Sequence, residues 1–285
     1  MQVQGGSPGG AAQPYTGVWQ GLSRMARTEG VRGMFKGNWT NCVRIVPNSA
    51  IKFFTYEELS RLTSDRLRET TGSGELTPAL RLAAGAGAGI VAMSATYPLD
   101  MVRGRLTVQE GRSVQYAGIV HAAREILKRE GALAFYKGWL PSVIGVVPYV
   151  GLNFGVYETL KAALLKSYGL RDERELSVAA RLACGAAAGT TGQTVAYPFD
   201  VARRRLQVSG WEGARELHSD GRTGSAAAYA GMVDCFARTV REEGFGALFK
   251  GLWPNYLKVV PSIAIAFVTY EQIKEALGVE FRISD

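Results

Sequence analysis

The chain has 285 residues, 33 Lys and Arg against 25 Asp and Glu for a net charge of +8, 47% apolar content, and 35 glycines. Apolar content this high with mixed charge excludes disorder, the glycines follow no triplet period, and Cys42, Cys184 and Cys235 are too few and too scattered for a disulfide scaffold. His121 and His218 are the only histidines, so no zinc spacing can be written; neither a metal, a cofactor nor an enzymatic activity is predicted.

Internal repetition organises the chain. A Tyr-x-Gly at Tyr15, Tyr116 and Tyr229 is followed fourteen residues later by Glu-Gly at Glu29, Glu130 and Glu243. Each Glu-Gly leads to an aromatic-Lys-Gly ending at Gly37, Gly138 and Gly251, then to Pro47, Pro148 and Pro261, then to Tyr56-Glu57, Tyr157-Glu158 and Tyr270-Glu271. Constant spacing in three copies predicts three large units related by pseudo-threefold symmetry.

Residues 1–14 show neither an Arg-rich amphipathic pattern nor a charged stretch leading into an apolar one, so no cleavable targeting signal is predicted. Stretch 39–59 matches a membrane span in register but carries Arg44 and Lys52, ionisable residues that mark a transport path when they lie within a span. Leu82–Leu99 is an uncharged run long enough to cross a bilayer. Its Gly85, Gly87 and Gly89 predict close helix packing; a phosphate-binding glycine loop is the alternative, with the wrong spacing and no strand before it. Pro98-Leu99-Asp100-Met101-Val102-Arg103 then sets an acid and a base one turn apart after a helix-kinking proline. That motif reads either as a simple intrahelical pair or as half of a breakable ionic gate between neighbouring helices.

Residues 118–129 predict a short surface helix, and Gly138–Tyr157 and Leu182–Phe199 two further spans, the last with Gly185 and Gly189 as packing glycines. Pro198-Phe199-Asp200-Val201-Ala202-Arg203 repeats the acid–base motif, 208–228 reads as an inserted loop, and 232–242 as a second surface helix. Stretch 252–273 carries Lys258 at the register position of Arg44. The segments with the Glu-Gly motifs are basic, with four cations to one anion in 24–36 and seven to three in 103–137, whereas 57–76 has three to five. The positive-inside rule therefore puts all the Glu-Gly motifs on one side.

Pro-x-Asp-xx-Arg followed by Glu-Gly-xxxx-aromatic-Lys-Gly, in a tripartite chain of Gly-rich spans, resembles the mitochondrial carrier family of inner-membrane solute exchangers over essentially all 285 residues. The resemblance implies an all-α, multi-pass fold of the inner mitochondrial membrane, with tilted helices around a central cavity. Its repeats would cover 1–62, 76–164 and 176–278, and access would alternate between two salt-bridge networks. The matrix network falls on Asp100, Arg103, Asp200 and Arg203, with Asp100 expected to meet Arg203 and with Gln2 and Gln207 at the bracing glutamine position. The cytosolic network falls on Glu57, Glu158, Lys161, Glu271 and Lys274, with Ser60 where the first unit's base should be. Membrane lipid, in particular cardiolipin, is the implied lipid partner, and a monomer without nucleic acid the implied state. Met1–Gln4 aligns with Leu106–Gln109, so the first transmembrane helix is expected to be missing, leaving Arg103 and Asp200 without partners.

Substrate class is argued from where the symmetry breaks. Three residues before each repeated proline of the second spans stand Arg44, Gly145 and Lys258. Two cations suit phosphate, while Gly145 would admit a flat group against Val146 with Tyr149 able to stack, which together suggest a purine nucleotide. The alternative is that the cations merely line a cavity and Gly145 packs. By resemblance these are the family's contact points, Arg204 within Arg203–Arg205 joins them, and strings such as Arg44–Ser49 are similar to members that exchange AMP, ADP and ATP. Coenzyme A and ATP-Mg/phosphate carriers are the nearest alternatives. A non-transporting basic scaffold or a nucleic-acid binder using Arg203–Arg205 is the alternative from another class.

Overall fold

The computed structural model describes residues 18–28, 30, 35, 37–71, 75–108, 116–169, 176–211, 229–258, 269, 272 and 273. In chain order these form α1 (Val18–Thr28), α2 (Asn38–Thr71), α3 (Pro78–Val108), α4 (Ile119–Glu130), α5 (Trp139–Tyr168), α6 (Val178–Val208) and α7 (Met232–Glu243). Short 3-10 turns, Ala132–Tyr136 and Phe245–Phe249, follow α4 and α7, and residues 252–258 open a further helix. No strand occurs among the described residues.

The four long helices run 34, 31, 30 and 31 residues. At about 1.5 Å per residue each exceeds a hydrocarbon core of about 30 Å, so they must tilt or project beyond it. Pro47, Pro98, Pro148 and Pro198 sit inside them at matching register, each removing one backbone donor from the ladder. The α3 helix and the stretch Ala132–Tyr168 are long and apolar enough to cross a membrane. The α6 helix is as long, but Thr190, Thr191, Gln193 and Thr194 dilute its apolar run. The three threonine hydroxyls bond back to the carbonyls of Ala186, Ala187 and Thr190, which satisfies them without help from water.

Helices pair chiefly across repeat boundaries, α2 along α3 and α5 along α6. Small residues at a spacing of four make the contact: Ala84, Ala88 and Ala92 are buried on α3, and Cys184, Ala188 and Ala196 on α6. At Gly192, in the same row, a Cβ would stand 2.9 Å from the Tyr149 carbonyl oxygen of α5, so only glycine permits that approach. The predicted packing glycines behave otherwise. Gly87 meets Leu59, but no described residue would lie within 4 Å of a Cβ at Gly85, Gly89, Gly185 or Gly189, so among the described residues alanines rather than the predicted glycine pattern carry the close packing.

The surface helices end on the glycines of the Glu-Gly motif, Gly131 at φ 82° and Gly244 at φ 85°, a left-handed backbone that glycine adopts without strain. Their glutamates anchor an ion-pair triad that recurs in two repeats. Arg105, with no exposed side-chain surface, holds Glu130 with both Nη groups, and Lys137 Nζ donates to Glu130 Oε2 at 2.6 Å. Arg205 grips Glu243 in the same bidentate way, with Lys250 at 2.7 Å. Burial raises the pKa of both glutamates, but the hydrogen bonds from the arginine and lysine outweigh it and hold each below its ordinary value of about 4.5. Beside the second triad, burial pushes the Cys235 thiol up to about 11 despite Arg205, so it stays protonated and serves as packing.

Repeats two and three are further joined at this end. Trp211 stacks on Tyr116 with ring centroids 5.7 Å apart, the Arg105 guanidinium lies 5.9 Å from the Trp211 ring, and Arg105 Nε donates to the Gln207 carbonyl at 3.2 Å. Residues 212–228 of the predicted inserted loop lie outside the described residues. At its base the Tyr229 N–H donates to Ser209 Oγ at 2.9 Å.

Glu130→Ala leaves Arg105 buried without its carboxylate, a loss of about 3–5 kcal/mol. We expect a lower melting temperature in detergent, and a smaller drop for Glu125→Ala, whose carboxylate pairs with exposed Arg129. Because both triad glutamates titrate below their unfolded value, their stabilisation is complete above about pH 4.5 and lost as pH falls through the depressed values. Melting temperature should decline with acidification in that window, and Glu130→Gln with Glu243→Gln should flatten the decline.

Candidate functional site

The residues that follow Pro98 and Pro198 bring charge to the surface-helix end of α3 and α6. Asp100, 4% exposed, is the hub. Arg203 Nη2 of α6 donates to its Oδ2 at 2.6 Å, and Gln207 Nε2, one turn further along α6, donates to the same oxygen at 2.8 Å. Arg204 Nη1 lies 3.9 Å from Oδ2 while donating to Gln207 Oε1 at 3.1 Å, and Arg44 Nε of α2 lies 4.0 Å from Oδ1. One carboxylate thus ties three helices drawn from three repeats. In a low-dielectric site such a charge needs several donors to offset its desolvation.

Tyr97 builds the floor beneath this hub. Its hydroxyl donates to the Lys137 carbonyl at 3.1 Å and accepts from Gln207 Nε2 at 3.4 Å, and the Arg203 guanidinium lies 5.5 Å from its ring. Tyr197 repeats the first contact with the Lys250 carbonyl at 3.1 Å. Gly138 completes the joint at φ 84°, where a Cβ would stand 2.7 Å from the Arg203 carbonyl oxygen. Gly37 takes the corresponding place against Arg103 and Thr107 one repeat earlier. The first two aromatic-Lys-Gly motifs therefore seat their second spans on the gate arginine of the next repeat.

Beyond the hub the charges are unmatched. Arg103 lies in the field of Arg204, Asp100, Arg44 and Arg203, and Lys258 in that of Arg204, Asp200 and Arg103. Among the described residues neither Arg103 nor Asp200 makes a side-chain hydrogen bond or ion pair. Five cations, Arg44, Arg103, Arg203, Arg204 and Lys258, thus surround two carboxylates, Asp100 and Asp200, for a local excess of three positive charges. Such a surplus suits a multiply charged anion.

The uncharged contact residues are placed differently from the cations. An added Cβ at Gly145 would meet Phe199 Cβ at 3.0 Å, so this glycine lets α5 close on α6. Val146 is half-buried and Tyr149 is 38% exposed one turn further on. At the opposite end, Lys161 pairs within its own helix with Glu158 at 2.7 Å and lies 5.4 Å from the Tyr157 ring, while Glu57 is exposed. No ion pair between helices closes that end among the described residues. Gln2, Glu271 and Lys274 lie outside them.

Sequence reading missed the pairing of Arg105 with Glu130 and of Arg205 with Glu243, and the place of Tyr97 beneath the hub. The signal for the arginines was present: both acid–base motifs continue as Arg-x-Arg, and the second arginine is the one that reaches the Glu-Gly glutamate. It also missed two bonds between neighbouring helices, Asn48 Nδ2 to Thr96 Oγ1 at 2.9 Å and Trp139 Nε1 to Ser94 Oγ at 2.7 Å.

Long helices with internal prolines in repeated register, short surface helices and an ion-pair hub amid surplus cations define a membrane solute carrier. A family model described as mitochondrial carrier protein matches residues 1–67, 74–168 and 174–280, and the chain belongs to that family. It is 63% identical over 277 residues to the mitochondrial adenine nucleotide transporter ADNT1 of Arabidopsis thaliana, a match covering 95% of this chain and 79% of the relative. It is 38% identical over 267 residues to the mitochondrial adenyl nucleotide antiporter SLC25A25 of Homo sapiens, covering 93% and 52%. The calcium-binding mitochondrial carrier protein SCaMC-2-B of Danio rerio is also 38% identical over 267 residues, with the same coverage. The chain spans about half the length of these last two relatives.

Gly145→Ala tests what the glycine is for. If packing against Phe199 is its role, the substitution should lower the melting temperature in detergent, because the added Cβ meets Phe199 Cβ. An unchanged melting temperature with lost transport would assign Gly145 to the substrate instead.

Proposed function

We propose that this protein exchanges adenine nucleotides, AMP, ADP and ATP, across the inner mitochondrial membrane by alternating access. The observation that carries the reading is the excess of cations around Asp100 and Asp200, including Arg44 and Lys258 at matching positions in the first and third repeats. The names of the relatives from Arabidopsis thaliana and Homo sapiens point to the same substrate class.

In this reading Arg44 offers a planar fork and Lys258 a mobile point charge to the phosphates, with Arg204 in reserve beside the hub. Val146 and Tyr149 supply an apolar wall and a ring for the base. The Asp100–Arg203 pair, braced by Gln207, is the matrix-side gate, and Arg103 and Asp200 belong to the same ring of charges. Glu57, Glu158 and Lys161 belong to the cytosolic gate, where Lys161 pairs with Glu158 of its own helix. Substrate phosphates entering the cavity compete with Asp100 for Arg44 and Arg204, which loosens the closed end only when a suitable anion is present. That competition makes opening conditional on substrate and so favours exchange over leak.

Labelled ATP should enter proteoliposomes preloaded with ADP or AMP and should enter empty ones slowly. Arg44→Gln and Lys258→Gln should each lower exchange at least about tenfold, since each removes a charged hydrogen-bond partner of the phosphates. Transport of coenzyme A in preference to all three nucleotides would overturn the substrate assignment.

A further inference from the structure

One cation in the membrane-matched stretch of α2 is not used by the reading above. Lys52 lies on α2, within a stretch matched to a membrane span, and its side chain is exposed. Among the described residues it has no carboxylate partner. A lysine at this depth turned toward lipid would be costly, so its face on the helix decides what it does.

The helix register places that face. Val43, Val46 and Phe53 are exposed apolar residues at 38%, 72% and 73%, and their spacings of three and seven form one stripe suited to lipid, flanked by Phe54 at 67%. Arg44, Asn48 and Lys52 follow one another at intervals of four on the other side of the helix. Arg44 reaches toward Asp100 and Asn48 bonds to Thr96 of α3, so this row looks inward, toward the cavity and the neighbouring helix. Lys52 is the third member of the row, about 12 Å along the axis from Arg44 and farther from the hub. In the second repeat Asn153 holds the matching position, so the charge belongs to α2 alone.

We propose that Lys52 is a second phosphate contact that sets the preference among adenine nucleotides by the length of their phosphate chain. The inference rests on the nucleotide reading. Two cations two turns apart can engage a chain of two or three phosphates together, whereas a single phosphate held at Arg44 leaves Lys52 idle. The terminal phosphate of ATP or ADP is the ligand, and the lysine acts as a point charge on a flexible stem. Its contribution discriminates between substrates that Arg44 and Lys258 bind alike.

The test compares ATP, ADP and AMP uptake by the reconstituted carrier and by Lys52→Gln and Lys52→Arg. Lys52→Gln should raise the KM for ATP and ADP by about five-fold or more, the size of one charged contact in a partly wet site, and change that for AMP by less than about two-fold. Lys52→Arg should keep the order of preference of the unaltered carrier. An equal loss for all three nucleotides, or none for any, would overturn the assignment, because a purely structural lysine has no means of sensing phosphate number. If the unaltered carrier moves none of the three, the nucleotide reading itself falls and this inference with it. Changed discrimination by Lys52→Gln with normal uptake of AMP separates the two cases.

Discussion

The described architecture turns on one buried carboxylate. Asp100 gathers a bonded arginine and glutamine from α6 and two further arginines at about 4 Å, one from α6 and one from α2. Remove it and Arg203, Arg204 and Arg44 face one another with Asp200 as the remaining counter-charge nearby. A buried ion pair of this kind adds little net stability, since desolvation offsets most of the attraction, but breaking it by removing one partner is expensive. That asymmetry suits a gate, which must be firmly shut when paired and must open when its partners are offered another anion.

The Arg–Glu–Lys triads have the opposite character. Arg105 with Glu130 and Lys137, and Arg205 with Glu243 and Lys250, join residues within one repeat, and each arginine is bonded through both Nη groups. They hold a first span, a surface helix and the start of a second span together as a rigid block. Gly138 then seats that block on the Arg203 backbone of the next repeat, without a side chain in the way. Motion during transport is thereby directed to the contacts between repeats, where Asp100 meets Arg203 and where Trp211 lies on Tyr116.

Much of this was legible in the sequence because the repeat supplies three readings of each element. The surface helices predicted at 118–129 and 232–242 form at Ile119–Glu130 and Met232–Glu243, and the kinking prolines fall inside the long helices as the register requires. The pairing of Asp100 with Arg203 followed from the repeated acid–base motif read by family resemblance. What stayed hidden depends on which way a residue faces. Gly85 and Gly89 look like packing glycines in the sequence, but the row that meets α2 is Ala84, Ala88 and Ala92, one position away on the helix. Gly145 looks like a substrate contact because symmetry breaks there, yet its neighbour is Phe199 on another helix, which no pattern within its own repeat reveals. The aromatic lock of Trp211 on Tyr116 is invisible for the same reason.

Adenine nucleotide, in the proposed cycle, weakens the hold of Asp100 on its arginines and lets the second and third repeats part at their surface-helix ends. Spin labels at Leu127 on α4 and Val240 on α7, matching exposed positions of those repeats, report that separation directly by electron–electron distance measurement in liposomes. The account predicts a single short distance without substrate, a second and longer population when ATP is added, and the same longer population without substrate in Asp100→Asn. A distance distribution unchanged by both ATP and Asp100→Asn would contradict it.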